Sequence, residues 1–278
     1  MKKAAAYLAL IRPVNFGITF ITIMVAAAVS CLGVYPVAKV LLAALTASLT
    51  LSAGNIINDI FDVEIDKLSH PGRPLVSGAI SINESFVLYV TIQLISLLLS
   101  FFISNANFFI NLLAAWVLFF YSWEIKKIVL LKNIVVSGLT GLVFLYGGVA
   151  AGSYKYAIIP ALFAFLINMT REIVKDMEDS EGDAHRGVIS FPLKAGLVKT
   201  KNTVAVLIIF LIALTFYPYI AGNYNKYYFL CILGIVIPVL IYFLLSFNKD
   251  VSKKNLKKLS LILKLDMVLG LIAIYLGR

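Results

Sequence analysis

A chain of 278 residues, 61% hydrophobic and only 14% charged, carries too much apolar surface for a soluble fold of its size. Its mean hydropathy of +0.96 predicts an all-α polytopic membrane protein and excludes a soluble helical globule. The net charge of +10 would suit a polyanion, but bases and aromatic residues are not interleaved as in a nucleic-acid reader.

Lys2 and Lys3 open the chain, but Arg12 and Pro13 interrupt the apolar stretch behind them and no small-residue cleavage site follows. A short interfacial helix over 1–12 is expected there instead of a cleavable signal. Apolar runs of the roughly 20 residues that a bilayer crossing needs then follow in series. They lie at 14–35, 38–60, 84–104, 106–123, 133–152, 156–175, 203–222, 227–247 and 259–276. Alternating β patterns are absent, so nine helices are expected, not a barrel. The longer loops at 61–83 and 175–202 are long enough to form a cytoplasmic cap. No second domain is visible, and residues 1–278 are read as one transmembrane domain. Cys31 and Cys231 lie in or near apolar runs and have neither metal-site spacing nor a disulfide framework.

The bases sort by side. Lys2, Lys3 and Arg12, then Lys67 and Arg73, then the groups at 126–132, 171–201 and 249–258, all fall in one set of loops. The opposite side has only Lys39, Lys155, Lys226 and Arg278. The positive-inside rule then puts the N-terminus in the cytoplasm of a cell-membrane protein and, with nine spans, the C-terminus outside. The net charge therefore reports topology and attraction to anionic membrane lipids.

The acids behave differently. Ten of the fourteen lie in two clusters, NDIFDVEID at 58–66 and REIVKDMEDSEGD at 171–183. Asn55, Asp59, Asp62 and Asp66 stand at offsets 0, 4, 7 and 11, and so do Glu172, Asp176, Asp179 and Asp183. At 100° per residue each set covers an arc of roughly 60° on a helix. Two polar stripes at the cytoplasmic ends of the second and sixth spans point to an internal repeat. Carboxylates near a membrane interior are costly, repel one another and are disfavoured at helix C-termini. Something cationic must offset them. A solvated acidic loop, or pairing with neighbouring Lys and Arg, explains the charge without explaining the repeated offsets. Oxygen-only ligands favour a hard divalent ion, and Mg²⁺ takes a few carboxylates plus phosphates and water. His70 and His185 lack zinc spacing. Two aspartate-rich helices holding Mg²⁺ across a diphosphate would make it a better leaving group.

NDIFDVEID resembles the first aspartate-rich motif, NDxxDxxxD, of the UbiA superfamily of intramembrane prenyltransferases. DMEDSEGD resembles the second, DxxxD, with Asp179 and Asp183 at its ends. IRPVNF at 11–16 is similar to the family's entry to the first helix, and RPLVSGAIS and GVISFPLKAG to its following loops. The resemblance covers nearly the whole chain. HPGRPLVSG and REIVKDMEDSEGD together look most like the archaeal geranylgeranyltransferases that add the second isoprenoid ether to a glycerol phosphate lipid.

That resemblance implies geranylgeranyl diphosphate as donor and geranylgeranylglyceryl phosphate as lipid acceptor, with no protein partner. It implies Mg²⁺ held by Asp62, Asp66, Asp179 and Asp183, with Asn58, Asp59 and Asp176 nearby and Asn55 as a neutral ligand or donor. Lys67, Arg73 and Lys126 are its candidates for donor phosphate; YSWEIK departs from the family's YxxxK by one residue, so Lys127 is the alternative to Lys126. Tyr121 and Tyr146 are candidates to stabilise an allylic cation by their ring faces, against ordinary packing. Arg12, Arg186 and Lys194 are candidates for acceptor phosphate, each also explained as a positive-inside charge. Asn15 either lines the acceptor pocket or bonds a neighbouring helix. Two other functions compete: an aromatic prenyltransferase of quinone synthesis, and a cation transporter. The transporter is disfavoured because the acids cluster at one membrane face. A purely structural membrane protein has no account of the repeated carboxylates.

Overall fold

The computed structural model describes residues 3–31, 33, 35–185 and 189–278. Every regular element among them is helical, and nine stretches are long and apolar enough to cross a membrane, as expected of an integral membrane protein. The chain divides into two compact units, residues 1–126 with 142–157 and residues 127–141 with 158–278.

The first unit holds α1 (Lys3–Ile11), α2 (Pro13–Ser30), α3 (Val37–Phe61), α4 (Val63–Ser69), α5 (Ile82–Phe101), α6 (Asn105–Trp123) and the end of α7 (Leu131–Ala150). Pro13 starts α2, where its missing N–H costs nothing. The backbone breaks just before it, at Arg12, with φ 55°. The short helix expected ahead of Pro13 is α1, which buries Ala6 and Leu10 with Ala53 and Ile56 of α3. Ser81 begins α5 through a capping box with Glu84.

α3 is the hub of this unit and packs on α1, α2, α5 and α6. Small residues let the helices approach: a Cβ at Gly147 would stand 2.8 Å from the Cβ of Ala26. One at Gly148 would collide with Ala157. Polar side chains add a buried lattice. Thr50 Oγ1 donates to Asn111 Oδ1 (2.7 Å), Asn111 Nδ2 to Ser96 Oγ (2.9 Å), and Ser96 Oγ to the Thr46 carbonyl (2.8 Å). With no water in the hydrocarbon, such groups must satisfy one another. Asn111→Ala is expected to cost about 1 kcal/mol by stranding Thr50 and Ser96. Thermal unfolding in detergent reads this, and an unchanged midpoint would remove the lattice as a source of stability.

The second unit holds the start of α7, most of α8 (Tyr154–His185), α9 (Phe191–Ala195), α10 (Leu197–Ile220), α11 (Lys226–Cys231), a π-helical turn (Ile232–Val236), α12 (Ile237–Lys249) and α13 (Lys253–Gly277). α11, the π turn and α12 form one continuous span. Tyr228 is fully buried, donates its hydroxyl to the Thr215 carbonyl (2.7 Å) and sits where Gly277 leaves no room for a side chain. Gly141 lets α7 approach the Ala161 carbonyl, where a Cβ would stand at 2.9 Å. A Cβ at Gly138, by contrast, would meet open space.

One expectation needs correction. The sixth apolar run ends near 175, and α8 carries on to His185, as an acidic stripe on that helix requires. Its charged second cluster is helical because an α-helix satisfies its own backbone whether its surface is apolar or charged. The 61–83 and 175–202 segments are therefore not plain loops: they carry α4, the end of α8, and α9.

Candidate functional site

The first cluster lies at the junction of α3 and α4, within the first unit. α3 ends at Phe61, and Asp62 (φ −94°, ψ 1°) caps both helices, so the predicted stripe is not one regular helix. Its register survives because the i→i−4 ladder continues through the break. Asp62 N–H donates to the Asn58 carbonyl (3.0 Å), and Asp66 N–H to the Asp62 carbonyl (2.8 Å). The break also changes the electrostatics. Glu64 and Asp66 fall in the first turn of α4, where the helix dipole favours negative charge instead of opposing it.

Basic groups converge on these carboxylates. Arg12 donates Nη2 to Asp59 Oδ1 (2.6 Å) and Nη1 to Asn55 Oδ1 (3.4 Å). Arg73 Nη1 bridges Asp59 Oδ1 (3.3 Å) and Asp66 Oδ2. Lys126 Nζ reaches Asp62 Oδ1 (2.5 Å) and Asn58 Oδ1 (3.2 Å), while Asn58 Nδ2 donates to Asp62 Oδ2 (2.9 Å). Arg12 holds a left-handed backbone that costs a non-glycine residue about 1 kcal/mol. Its bonds to Asp59 and Asn55 offset that cost.

The second cluster lies on α8, in the second unit. Asp176 is 9% exposed and accepts Lys132 Nζ on Oδ1 (2.8 Å) and Asn133 Nδ2 on Oδ2 (3.0 Å). Glu172 takes Arg171 (3.1 Å) and Lys175 (3.0 Å). Asp179 is exposed one turn further on. Asp183 continues the helix, but its side chain lies outside the described residues, as does the whole of Arg186.

The structure therefore brings Arg12, Asn55, Asn58, Asp59, Asp62, Asp66, Arg73 and Lys126 together. Other candidates stand elsewhere. Lys67 is exposed and pairs with Glu64 (2.7 Å). Lys194 is exposed on α9, and Asn15 is exposed on the first turn of α2. Tyr121 lies on the last turn of α6, two residues from its end at Trp123 and five before Lys126. Tyr146 is buried in the core of the first unit, where its hydroxyl bonds Thr46 at 2.7 Å. Thr46 precedes Asp59 by thirteen residues, roughly 20 Å of helix, so Tyr146 acts there as a packing residue. Lys132 and Asn133 were not singled out from the sequence, and His70, weighed there only as a zinc ligand, has its Nδ1 3.4 Å from Asp66. The available signal for the first two was their place at the start of a span, as Arg12 is at the start of α2.

Among the described residues no three His, Cys, Asp or Glu side chains gather into a ready-made metal cage. What is present is a set of paired carboxylate and amide oxygens ringed by cations. Such a set suits a hard ion that completes its shell with phosphate and water.

Known proteins agree with this layout. Residues 19–267 match the UbiA prenyltransferase family. The chain is 35% identical over 277 residues to the digeranylgeranylglyceryl phosphate synthase of Methanocaldococcus jannaschii, covering 100% of this chain and 97% of that one. It is 36% identical to that of Methanococcus maripaludis, with 98% and 97% covered. A solved structure concerning digeranylgeranylglyceryl phosphate synthase in membranes superposes with a TM-score of 0.90 at 35% identity, covering 100% and 99% of the two chains. A UbiA homolog from Archaeoglobus fulgidus bound to GPP and Mg²⁺ shares the fold at a TM-score of 0.73 and 20% identity, with 97% and 99% covered. With residues 19–267 matched by the family and full-length relatives at about a third identity, this chain belongs to the UbiA prenyltransferase family.

Proposed function

We propose that this protein transfers the geranylgeranyl group of geranylgeranyl diphosphate to the free hydroxyl of geranylgeranylglyceryl phosphate, making the second ether of archaeal membrane lipids. The observation that carries this is the full-length likeness, at about a third identity, to digeranylgeranylglyceryl phosphate synthases. In the reaction the allylic carbon–oxygen bond breaks and diphosphate leaves with the electron pair. The glycerol oxygen bonds to the allylic carbon, and its proton passes to the departing diphosphate. The whole chain acts as one prenyltransferase domain, with its N-terminus and charged motifs on the cytoplasmic side. The strong bias of Lys and Arg toward that set of loops supports this orientation.

Asp62, Asp66, Asp179 and Asp183, with Asn58, are the proposed Mg²⁺ ligands. Their oxygen-only donor chemistry fits that ion. When bound, Mg²⁺ neutralises diphosphate oxygens and makes diphosphate a better leaving group. Lys126 and Arg73, held at Asp62 and Asp66, are poised to bind the same oxygens by charge-assisted hydrogen bonds. Lys67 is a lesser contributor, since its ammonium is turned to Glu64. Tyr121 is the proposed stabiliser of the developing allylic cation. Arg186 and Lys194 serve the acceptor phosphate, and Asn15 the acceptor pocket.

The test uses detergent-solubilised protein, radiolabelled geranylgeranyl diphosphate, and geranylgeranylglyceryl phosphate or 4-hydroxybenzoate offered in parallel. Mg²⁺-dependent product with the lipid acceptor alone is expected. Product with the aromatic acid alone would overturn the substrate assignment while keeping the reaction class.

A further inference from the structure

The repeat seen in the acids extends to the backbone and to the cations. α2 and α3 form a helical hairpin, and so do α7 and α8. Among the described residues two non-glycine residues have a left-handed backbone, Arg12 (φ 55°) and Leu130 (φ 67°). They stand immediately before α2 and α7, at the same place in each hairpin. At that end of each hairpin a basic side chain reaches across to the carboxylate at offset 4: Arg12, itself the left-handed residue, to Asp59 (2.6 Å), and Lys132, on the first turn of α7, to Asp176 (2.8 Å). Both acceptors are buried, Asp59 at 5% and Asp176 at 9% exposure, a turn deeper in their spans than Asp62 and Asp179. Each holds a cation carried by its own hairpin. Asp59 Oδ1 takes two guanidinium groups, and the two oxygens of Asp176 take Lys132 and Asn133. Asp62 and Asp66 are paired as well, and Asp66 is buried, but they lie at and beyond the helix break and their cations, Lys126 and Arg73, come from outside the hairpin.

We infer that Asp59 and Asp176 are positioning residues of a repeated clamp: each ties a cation to the polar end of its own hairpin, and neither ligates the metal. A buried carboxylate one turn inside the membrane needs a direct counter-charge. Spending it on Arg12 with Arg73, or on Lys132, keeps those cations oriented toward phosphate and leaves the outer DxxxD pairs, 62/66 and 179/183, for the metal. The inference rests on the Mg²⁺ assignment of the preceding subsection.

The test uses full-length protein in micelles. Mn²⁺ binding is followed by electron paramagnetic resonance with a sulfur-bridged geranylgeranyl diphosphate analogue that does not ionise. Asp59→Asn and Asp176→Asn are expected to keep Mn²⁺ stoichiometry and to bind within about threefold of the parent. They should raise a substrate KM at least about tenfold with a smaller change in kcat, as lost ground-state binding does. Asp62→Asn, as reference, should weaken Mn²⁺ at least about tenfold, since it removes a charged ligand. Thermal midpoints supply an independent readout. Lys132→Gln with Asp176→Asn should be no less stable than the weaker single variant, because each single change strands a buried partner. Mn²⁺ loss in Asp59→Asn or Asp176→Asn equal to that of Asp62→Asn overturns the inference, and so do additive midpoints. Retained Mn²⁺ in Asp62→Asn with coupled midpoints would overturn the metal assignment and leave the clamp standing.

Discussion

Asp62→Ala and Asp179→Ala, made singly in the purified protein, are each expected to lower the rate of prenyl transfer at least about 100-fold, the usual cost of losing a preorganised charge-stabilising contact. The reasons differ in the two clusters. Asp62 has both oxygens placed, Oδ1 by Lys126 and Oδ2 by Asn58, so its deletion also frees two groups aimed at the same point. Lys126 would then lose the carboxylate that orients it. Asp179 is exposed on α8, so its deletion removes a charge with little packing consequence. A rate loss there with an unchanged thermal midpoint separates chemistry from folding. Single-turnover assays with radiolabelled donor read both variants. Near-normal turnover in either would sink the metal site built from two motifs.

Removing divalent cations should have a still larger effect. Chelation is expected to slow turnover at least about 10³-fold, corresponding to ~4 kcal/mol of charge stabilisation at the departing diphosphate. Added Mg²⁺ should restore it. Because Asp62 and Asp66 are already paired with Lys126 and Arg73, Mg²⁺ should bind far more tightly with the donor diphosphate, which adds phosphate ligands, than without it. Titration calorimetry in micelles with and without the non-ionising donor analogue measures that difference. Full turnover in excess chelator would remove the metal from the mechanism.

Much of this protein could be read from its sequence. Nine crossings follow from runs of apolar residues, because a bilayer imposes length and hydrophobicity on any helix that spans it. The two acidic clusters were equally legible, since charge is rare and costly in such a chain. Their matching offsets also survive in the structure, through the continued ladder at Asp62 and the unbroken helix α8. Helix ends were less visible. α8 runs ten residues past the end of its apolar run because hydropathy detects the edge of the bilayer, while helix formation depends on backbone hydrogen bonds that continue into water.

Long-range pairing was the part that no local pattern contained. Lys67 stands beside the first motif in sequence, yet its ammonium turns to Glu64; Arg12, 47 residues away from Asp59, and Arg73, 14 away, are the ones that reach that carboxylate. Tyr146 and Tyr121 are alike as sequence, but the fold buries one in an apolar core against Thr46 and leaves the other on the last turn of α6 near Lys126. Composition and periodicity determined that this chain spans a membrane, gathers carboxylates in two repeated stripes and needs cations to hold them. Which cation meets which carboxylate was decided by tertiary structure alone. A salt bridge depends on where two helix ends meet in space, and that is set by packing along the whole length of both helices.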